Sequence, residues 1–444
     1  TLLHLGPGLA NALSNLHNAR KARSGIVNIV GEHATWHLAY DAPLTADIEA
    51  IARPFSGFVA TARAAADVAP LAAQAIAAAR HGEVATLIIP ADASWDPCCS
   101  EIPPLPAQQT NSVAAPGPIS APLSASTGFL LSGPALAEHV LQMAARLHHA
   151  TGAPIFANRY SPRLPRGLGI FPVQRLAYFP EPAEAMLTSI DALYTVETHA
   201  PVTFFGYPGR PSTLAPAHCL VQPLSLPAFL DLALSYPPAP VPSIEPPPPP
   251  PHSAQPLTPE LIGDILAALL PPGAILSDEM ISSGEAVNAR LACAAAHDLL
   301  PVTGGSIGQG LPVALGAAIA APARPVLALE ADGSAMYTLP ALWSFARENV
   351  NITTVIFANR RYRILDVEIE RTRSATPGPR ARRMLDLSDP HLDFVHLAQG
   401  HGLLATRAHT AAEFAQQLAS ALHSPGPKLI EAVLDDPATL RLPT

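Results

Sequence analysis

Two short apolar runs in the last third of the chain each lead into side chains that carry oxygen. Residues 326–329 are followed by Glu330 and Asp332, and residues 352–357 lead to Asn359. Runs of this length, separated by a helix-length segment, predict buried parallel strands joined by a right-handed crossover. The carboxyl ends of such strands lie at one edge of the sheet, where ligands of open α/β sheets bind. The sequence therefore predicts a carboxylate and an amide close together at a binding edge.

Asp332 and Asn359 supply the oxygen ligands that a hard divalent cation requires. Mg2+ usually completes its octahedron with phosphate oxygens and water. Gly333 and Ser334 are small, so a diphosphate can approach the backbone there, and the next helix offers its N-terminus to an anion. The pattern indicates a diphosphate held through Mg2+. The alternative is that Asp332-Gly333 is only a turn after a strand.

The same alternation of strands and helices extends over most of the chain. Thr258, followed by Pro259, is a typical N-cap signal, and apolar residues at helical spacing come after it. The other elements predicted in this region are helices over 310–321 and 411–422 and strands over 274–276 and 428–434. The predicted fold class is α/β, with three doubly wound parallel-sheet domains.

Two proline-rich stretches divide the chain into these domains. Residues 102–122 and 236–256 are rich in proline, and the second contains an unbroken proline run over 246–251. Such stretches form extended, semi-rigid spacers. A chain of 444 residues is also too long for one ordinary domain. The predicted domains are a first over 1–101, a central Rossmann-like domain over 123–235 and a last over 257–444.

Charge and composition argue against several classes of function. The net charge of −9 is not that of a general nucleic-acid or membrane-surface binder. No apolar run is long enough to span a bilayer, and no signal peptide is visible. The four cysteines, which include the adjacent Cys98 and Cys99, show no metal-site spacing and no disulfide framework. A cytoplasmic protein without nucleic-acid or membrane partners is predicted.

The spacing of the two strand-end motifs resembles a known signature. The pattern that runs from Asp332-Gly333 to Asn359 is similar to the thiamin diphosphate signature. That signature consists of Gly-Asp-Gly, a gap of about this length, and Asn-Asn. Ala331 and Ala358 stand where the first Gly and the first Asn of that signature are expected. Both side-chain metal ligands of the signature are nevertheless present.

Further segments resemble one group of thiamin diphosphate enzymes. Residues 303–312 are similar to the cofactor-cradling loop of the acetolactate synthase and benzoylformate decarboxylase group. Residues 3–11, 26–32 and 86–92 resemble its pyrimidine-binding domain. The last domain would then bind the diphosphate and Mg2+, and the first the pyrimidine ring. Segments such as 335–338 look most similar to acetolactate synthase large subunits.

The resemblance implies roles for individual residues of the last domain. Asp332, Asn359 and the backbone carbonyl of Arg361 would bind Mg2+. Ser282 and Ser283 match residues that touch the diphosphate, although serines near a turn are commonly only caps. Further predicted cofactor contacts, by the same resemblance or by their small size, are Gly304, Gly305, Ile307, Gly333 and Ser334.

Two residues are candidates for a part in catalysis. Ile307 matches the bulky apolar side chain over which the cofactor bends; its alternative is ordinary core packing. His4 matches an active-site histidine of benzoylformate decarboxylase-like enzymes, where a proton donor or acceptor near the substrate carboxylate is useful. A lone histidine near a glycine-rich turn is otherwise more often structural.

The activating glutamate of the family has no counterpart between Thr1 and the end of the chain. It belongs upstream of the segment that matches 3–8, and the chain begins inside a predicted strand. Glu32 follows a later strand and is not a substitute. A chain that begins at Thr1 is therefore expected to bind the cofactor poorly and to turn over little, whereas a longer parent could be active.

The central domain is predicted to be a scaffold. Residues 130–135 read as a strand that runs into a turn, as in a degenerate Rossmann unit, but a full Gly-x-Gly-x-x-Gly is missing. FAD, which many acetolactate synthases carry in this domain, is therefore not expected here.

The predicted function is that of a thiamin diphosphate- and Mg2+-dependent 2-oxo acid carboligase, similar to acetolactate synthase, which decarboxylates pyruvate and condenses it to acetolactate. The first alternative is a 2-oxo acid decarboxylase such as benzoylformate decarboxylase. The second is a non-catalytic remnant or regulatory subunit, and a different diphosphate ligand in the same cleft also stays open. In this family the cofactor lies between two subunits, so a homodimer or homotetramer is implied.

Overall fold

The computed structural model describes residues 1–98, 103–105, 119, 122–251, 253–372 and 377–434. Most of the predicted spacer 102–122 lies outside the described residues, as does Cys99. The chain forms two compact units, one of Thr1–Ser112 with Val302–Ser306 and the other of Val113–Pro301 with Ile307–Thr444. The three domain boundaries stay a prediction. Among the described helices, none has the length and apolar character needed to cross a membrane.

The first unit is built on a parallel sheet of four described strands in the order β1-β2-β4-β3. Its strands are β1 (Leu2–His4), β2 (Ile26–Glu32), β3 (Phe58–Thr61) and β4 (Val84–Pro90), and its helices are α1 (Leu5–Ala22), α2 (Ile48–Ala52), α3 (Ala65–Arg80) and α4 (Ala91–Trp95). Leu9, Val30 and Ile88 lie in its apolar core. The strand predicted over 86–92 is confirmed, although it ends at Pro90 and α4 begins at Ala91.

The second unit contains two sheets, of which the first has five described strands in the order β10-β9-β5-β6-β8. All of its pairs are parallel. The elements of this part of the chain are β5 (Thr127–Leu131), α5 (Glu138–Thr151), β6 (Ile155–Ala157), β7 (Leu164–Arg166), β8 (Gln174–Arg175), α6 (Pro180–Leu187), β9 (Ala192–Val196), β10 (Leu220–Pro223) and α7 (Leu226–Leu234). Among them β7 belongs to the other sheet.

The other sheet has seven described strands in the order β15-β16-β14-β13-β11-β12-β7. Its further strands are β11 (Ala274–Glu279), β12 (His297–Pro301), β13 (Val326–Ala331), β14 (Ile352–Ala358), β15 (Leu404–Ala408) and β16 (Lys428–Val433). The helices are α8 (Pro259–Leu269), α9 (Gly284–Arg290), α10 (Gly310–Ala320), α11 (Asp332–Ala335), α12 (Ala341–Arg347), α13 (Arg363–Arg371), α14 (Pro379–Leu385), α15 (Phe394–Gly400) and α16 (Ala411–His423).

Strand β7 makes this sheet mixed, whereas the sequence predicted parallel strands throughout. It pairs antiparallel with β12, with Leu164 opposite Leu299. Pro165 cannot donate to a ladder, and an edge strand tolerates that loss. Arg163, just before the strand, also pairs with Asp298 at 2.7 Å. The α/β class is confirmed, with one antiparallel edge strand as the correction.

The two sheets of the second unit share one apolar core. Phe129 and Leu131 of the five-stranded sheet belong to the same buried cluster as Leu276 and Leu329 of the seven-stranded sheet. Apolar burial contributes about 25 cal/mol per Å2, so a continuous core resists separation of the two sheets. This shared core explains why both sheets fall into one compact unit.

The helix signals read from the sequence are confirmed. The Thr258 side chain accepts a hydrogen bond from the Leu261 amide at 3.2 Å, and α8 begins at Pro259. Three of the four buried residues of α10, Gly310, Ala314 and Ala318, are small, so this helix can pack close to the sheet. The loop before α10 lies against the end of β11, because the Gly308 amide donates a hydrogen bond to Glu279.

Candidate functional site

The ends of β13 and β14 bring the two predicted metal ligands together. These strands are parallel neighbours, with Ala331 opposite Phe357. Asp332 follows β13 directly and Asn359 follows β14, and both side chains are buried. The Asp332 carboxylate accepts hydrogen bonds from the backbone amides of Arg360, at 2.6 Å, and Gly333, at 2.8 Å. The first of these bonds ties the two strand-end loops to each other.

The oxygens at this edge keep the capacity to bind a cation. The Asn359 side-chain oxygen accepts the amide of Arg361 at 2.9 Å, and the Arg361 carbonyl accepts the amide of Arg363 at 2.9 Å. A carbonyl or carboxylate oxygen has two lone pairs, so each retains one. Burial raises the pKa of Asp332 to about 6, against the opposing effect of its two amide donors. A nearby cation would favour the charged carboxylate.

Arg361 and Tyr362 shape the loop that carries Asn359. The Arg361 guanidinium forms a two-point ion pair with Asp366 of α13, with one contact at 2.8 Å. A Cβ added to Gly333 would lie 2.4 Å from the ring of Tyr362. Gly333 is thus required by the tyrosine ring, a reason that the sequence did not reveal. Ser334, the next residue, is buried.

The turn after β11 places the two predicted serines at the same edge of the sheet. β11 is the parallel neighbour of β13, with Glu279 opposite Glu330. Ser282 and Ser283 are both buried in the short turn that follows. Within the described residues, the Ser283 hydroxyl is buried without a hydrogen-bond partner. A buried polar atom without a partner usually indicates a missing ligand or water.

Two buried acids at this edge were not predicted as site residues. The Glu279 carboxylate accepts hydrogen bonds from the backbone amides of Gly308, at 2.6 Å, and Gly310, at 2.5 Å. Glu330 is fully buried beside it. Burial raises the pKa of Glu279 to about 7, and burial together with Glu279 raises the pKa of Glu330 well above its ordinary value. Burial thus favours the neutral over the charged form of Glu330.

His4, Gly304 and Gly305 lie in the first unit. His4 is the last residue of β1 and is exposed. Gly304 packs against α1, where an added Cβ would lie 2.5 Å from the Asn18 side-chain oxygen. Asn18 also donates to the Ser306 carbonyl at 2.7 Å. Gly305 has a φ of +80°, which favours glycine.

The second unit therefore gathers most of the predicted site at one edge. The residues at the carboxyl ends of β11, β13 and β14 are Ser282, Ser283, Asp332, Gly333, Ser334, Asn359 and Arg361. Ile307 immediately precedes Gly308, whose amide Glu279 holds at this same edge. The described part of the chain contains no cluster of three or more His, Cys, Asp or Glu with metal-site geometry. A cation here would depend on one carboxylate, amide and carbonyl oxygens, and the ligand itself.

Part of the chain matches a known protein-family model. Residues 289–432 match the family model described as the C-terminal TPP binding domain of thiamine pyrophosphate enzymes. This range contains the candidate metal ligands and Ile307 but not Ser282 and Ser283.

Curated proteins similar in sequence include one from Mycobacterium tuberculosis and one from Pseudomonas aeruginosa. Over 442 residues the chain is 46% identical to the Mycobacterium tuberculosis protein named "Putative acetolactate synthase large subunit IlvX", covering 98% of this chain and 86% of that protein. It is 35% identical over 181 residues to a benzoylformate decarboxylase of Pseudomonas aeruginosa, covering 40% of this chain and 32% of that enzyme.

Solved structures similar in fold include two decarboxylases. The thiamine diphosphate-dependent 4-hydroxybenzoylformate decarboxylase of Rhodococcus jostii RHA1 gives a TM-score of 0.79 at 25% identity, covering 97% of this chain and 86% of that chain. The benzoylformate decarboxylase of Polynucleobacter necessarius gives a TM-score of 0.80 at 21% identity, covering 98% and 86% respectively.

Proposed function

This chain belongs to the family of thiamin diphosphate-dependent enzymes that act on 2-oxo acids, and we propose that within it the chain is a Mg2+-dependent carboligase of the acetolactate synthase type. The observation that carries the use of Mg2+ is the bond from the Arg360 amide to Asp332, because it holds the two candidate ligand loops together. The near full-length similarity to the mycobacterial protein supports the carboligase outcome. Pyruvate is the proposed substrate.

The residues at the sheet edge fit a diphosphate bound through Mg2+. Asp332, Asn359 and the Arg361 carbonyl offer oxygen ligands with free lone pairs. The Ser283 hydroxyl, which has no partner among the described residues, can donate a hydrogen bond to a phosphate oxygen. Thiamin diphosphate, when bound, supplies a nucleophilic carbon and an electron sink for the loss of CO2.

The side chains of the chain would bind and orient this group. Asp332 and Asn359 would hold the metal, while Ser282 and Ser283, with Gly333 and Ser334, would contact the diphosphate. Because the strand ends are buried, they would exclude water from the bound diphosphate. This exclusion would strengthen each electrostatic contact with it. Ile307 is the proposed support under the bend of the cofactor. His4 is the proposed proton donor or acceptor near the substrate carboxylate, and a homodimer or homotetramer is the proposed assembly.

Product analysis tests the carboligase proposal. The purified full-length parent protein is incubated with pyruvate, thiamin diphosphate and Mg2+, and the products are separated by chromatography. We expect acetolactate and CO2, and we expect both to disappear when a chelator removes Mg2+. Acetaldehyde without acetolactate would contradict the proposed outcome.

A decarboxylase is the second candidate, because the similar proteins include benzoylformate decarboxylases in both sequence and fold. Benzoylformate is therefore a second substrate in the same assay. Benzaldehyde formed much faster than acetolactate would establish this alternative. Conversion of neither substrate, with no Mg2+-dependent cofactor binding, would contradict both.

Replacement of Ser283 by alanine separates ligand binding from folding. Because its hydroxyl has no protein partner in the described residues, we expect the unliganded protein to keep its stability or gain up to about 1 kcal/mol. We expect the affinity for thiamin diphosphate with Mg2+ to fall about tenfold, or about 1.4 kcal/mol. Titration calorimetry and thermal melts measure the two effects.

The matched control is Ser277→Ala. The Ser277 hydroxyl is also buried, but it donates to the Gly310 carbonyl at 2.8 Å. Its removal should lower the stability of the unliganded protein by about 1 kcal/mol. If Ser283→Ala destabilised the protein in the same way and left affinity unchanged, the proposed diphosphate contact would be wrong.

A further inference from the structure

One carboxylate holds both ends of the turn that leads into α10. The two oxygens of Glu279 accept different amides, that of Gly308 at 2.6 Å and that of Gly310 at 2.5 Å. Ser277, two residues earlier on the same face of β11, donates to the Gly310 carbonyl at 2.8 Å. The turn is thus tied to β11 through three hydrogen bonds at two of its residues.

The turn has almost no room to adopt another shape. Gly308 has a φ of +93°, and a Cβ there would lie 2.8 Å from the Cβ of Tyr337. On the other side, a Cβ on Gly310 would lie 1.9 Å from an oxygen of Glu330. The backbone over 308–310 is therefore enclosed by side chains of neighbouring elements.

The burial of Glu279 requires a reason beyond packing. Its side chain is 1% exposed, and the adjacent Glu330 has no hydrogen-bond partner among the protein donors of the described residues. Two acids buried side by side are costly, and an apolar residue would fill the same volume. An apolar residue would leave two buried amides without acceptors, so the carboxylate is explained by the turn that it holds.

The residue immediately before this turn is Ile307, the proposed support for the bound cofactor. We infer that Glu279 is a positioning residue that fixes the turn over 307–310, and with it the side chain of Ile307, for thiamin diphosphate. This inference rests on the proposed function. Glu279 acts through Ile307 and through the backbone, so it differs from the residues that would contact Mg2+ or the diphosphate.

Glu279→Gln tests the inference, because an amide offers one acceptor where the carboxylate offers two. We expect the dissociation constant of thiamin diphosphate with Mg2+ to rise about tenfold by calorimetry. We also expect a smaller near-ultraviolet circular dichroism change when the cofactor is added, and a kcat at saturating cofactor reduced about tenfold. Glu279→Asp, which keeps the charge but is shorter, should give a smaller loss and serves if the glutamine variant does not fold.

The matched control is Asp298→Asn. Asp298 is another buried carboxylate of the same sheet. It lies in β12 beside Ile275, at the amino end of β11, whereas Glu279 lies at the carboxyl end, and it pairs with Arg163 and Arg324. Its replacement should lower the melting temperature without changing cofactor affinity. A general loss of stability would lower the cofactor affinity of both variants alike. Loss of positioning would lower the cofactor affinity only in Glu279→Gln.

A double-mutant cycle with Ile307→Ala separates positioning from a direct role. If Glu279 acts through Ile307, Glu279→Gln should change kcat less than about twofold when residue 307 is already alanine. Fully multiplicative effects, or wild-type binding and kcat in Glu279→Gln, would overturn the inference. Absence of Mg2+-dependent cofactor binding in the wild-type protein would instead contradict the proposed function.

Discussion

Replacement of Asp332 by asparagine is expected to remove most of the Mg2+ dependence of thiamin diphosphate binding. Asp332 is the one candidate metal ligand that carries charge, and the site has no group of three acidic or histidine ligands within the described residues. A hard cation loses much of its attraction when its only carboxylate becomes an amide. We expect the affinity in the presence of Mg2+ to fall roughly 100-fold, the upper end of losses known for changes around metal sites. Calorimetric titrations with and without Mg2+ measure the change.

The stability of the unliganded protein should change much less. Burial already disfavours the charged form of Asp332, because it raises the pKa of this group to about 6. Asparagine removes that charge but can accept only one of the two amides, so the two effects oppose each other. Asp298→Asn is again the control, with lower stability and unchanged Mg2+ dependence. An Asp332→Asn protein that still gains affinity from Mg2+ as the wild type does would exclude Asp332 as a ligand.

The sequence predicted which polar residues lie at the strand ends, because their position depends only on the order of neighbouring residues in the chain. An apolar run followed directly by a polar residue becomes a buried strand with that residue at its end, as for β14 and Asn359. Parallel neighbours then bring such ends to one edge. The helix that begins at Pro259 was also predictable, because capping involves only residues three positions apart.

Features that depend on pairing between distant segments were not predictable. The strands predicted over 274–276 and 326–329 covered only apolar residues, and acidic residues are almost never fully buried unless paired. In the structure β11 extends through Glu279 and β13 through Glu330. The register between β11 and β13 places these two acids side by side, with Glu279 opposite Glu330. A single sequence does not contain that register.

The edge strand β7 illustrates the same limit. Its three residues include Pro165 and show no alternation that would indicate a strand. Its pairing with β12 is decided by contacts between segments more than 100 residues apart, including Arg163 with Asp298. The requirement for Gly304 is comparable, because it follows from Asn18 of a distant helix.

Gly310→Ala is expected to be among the most destabilising single-methyl changes in the second unit. The added Cβ would lie 1.9 Å from Glu330 Oε1 and 2.9 Å from the Cβ of Glu279. Neither side chain can move freely, since both acids are buried and Glu279 holds two amides. Overpacking of a buried site costs about 1–3 kcal/mol, and we expect the upper end or more here because the turn itself must shift. Urea denaturation and thermal melts of the unliganded protein measure the loss.

Gly316→Ala, in the same helix, is the matched control. Gly316 is exposed, and no atom lies within 4 Å of its added Cβ. Alanine has a higher helix propensity than glycine, so this variant should gain about 0.5–1 kcal/mol. The two identical chemical changes should therefore shift the unfolding midpoint in opposite directions. If Gly310→Ala were as stable as Gly316→Ala, the close fit of the turn against Glu279 and Glu330 would be wrong, and with it the geometric basis for assigning Glu279 a positioning role.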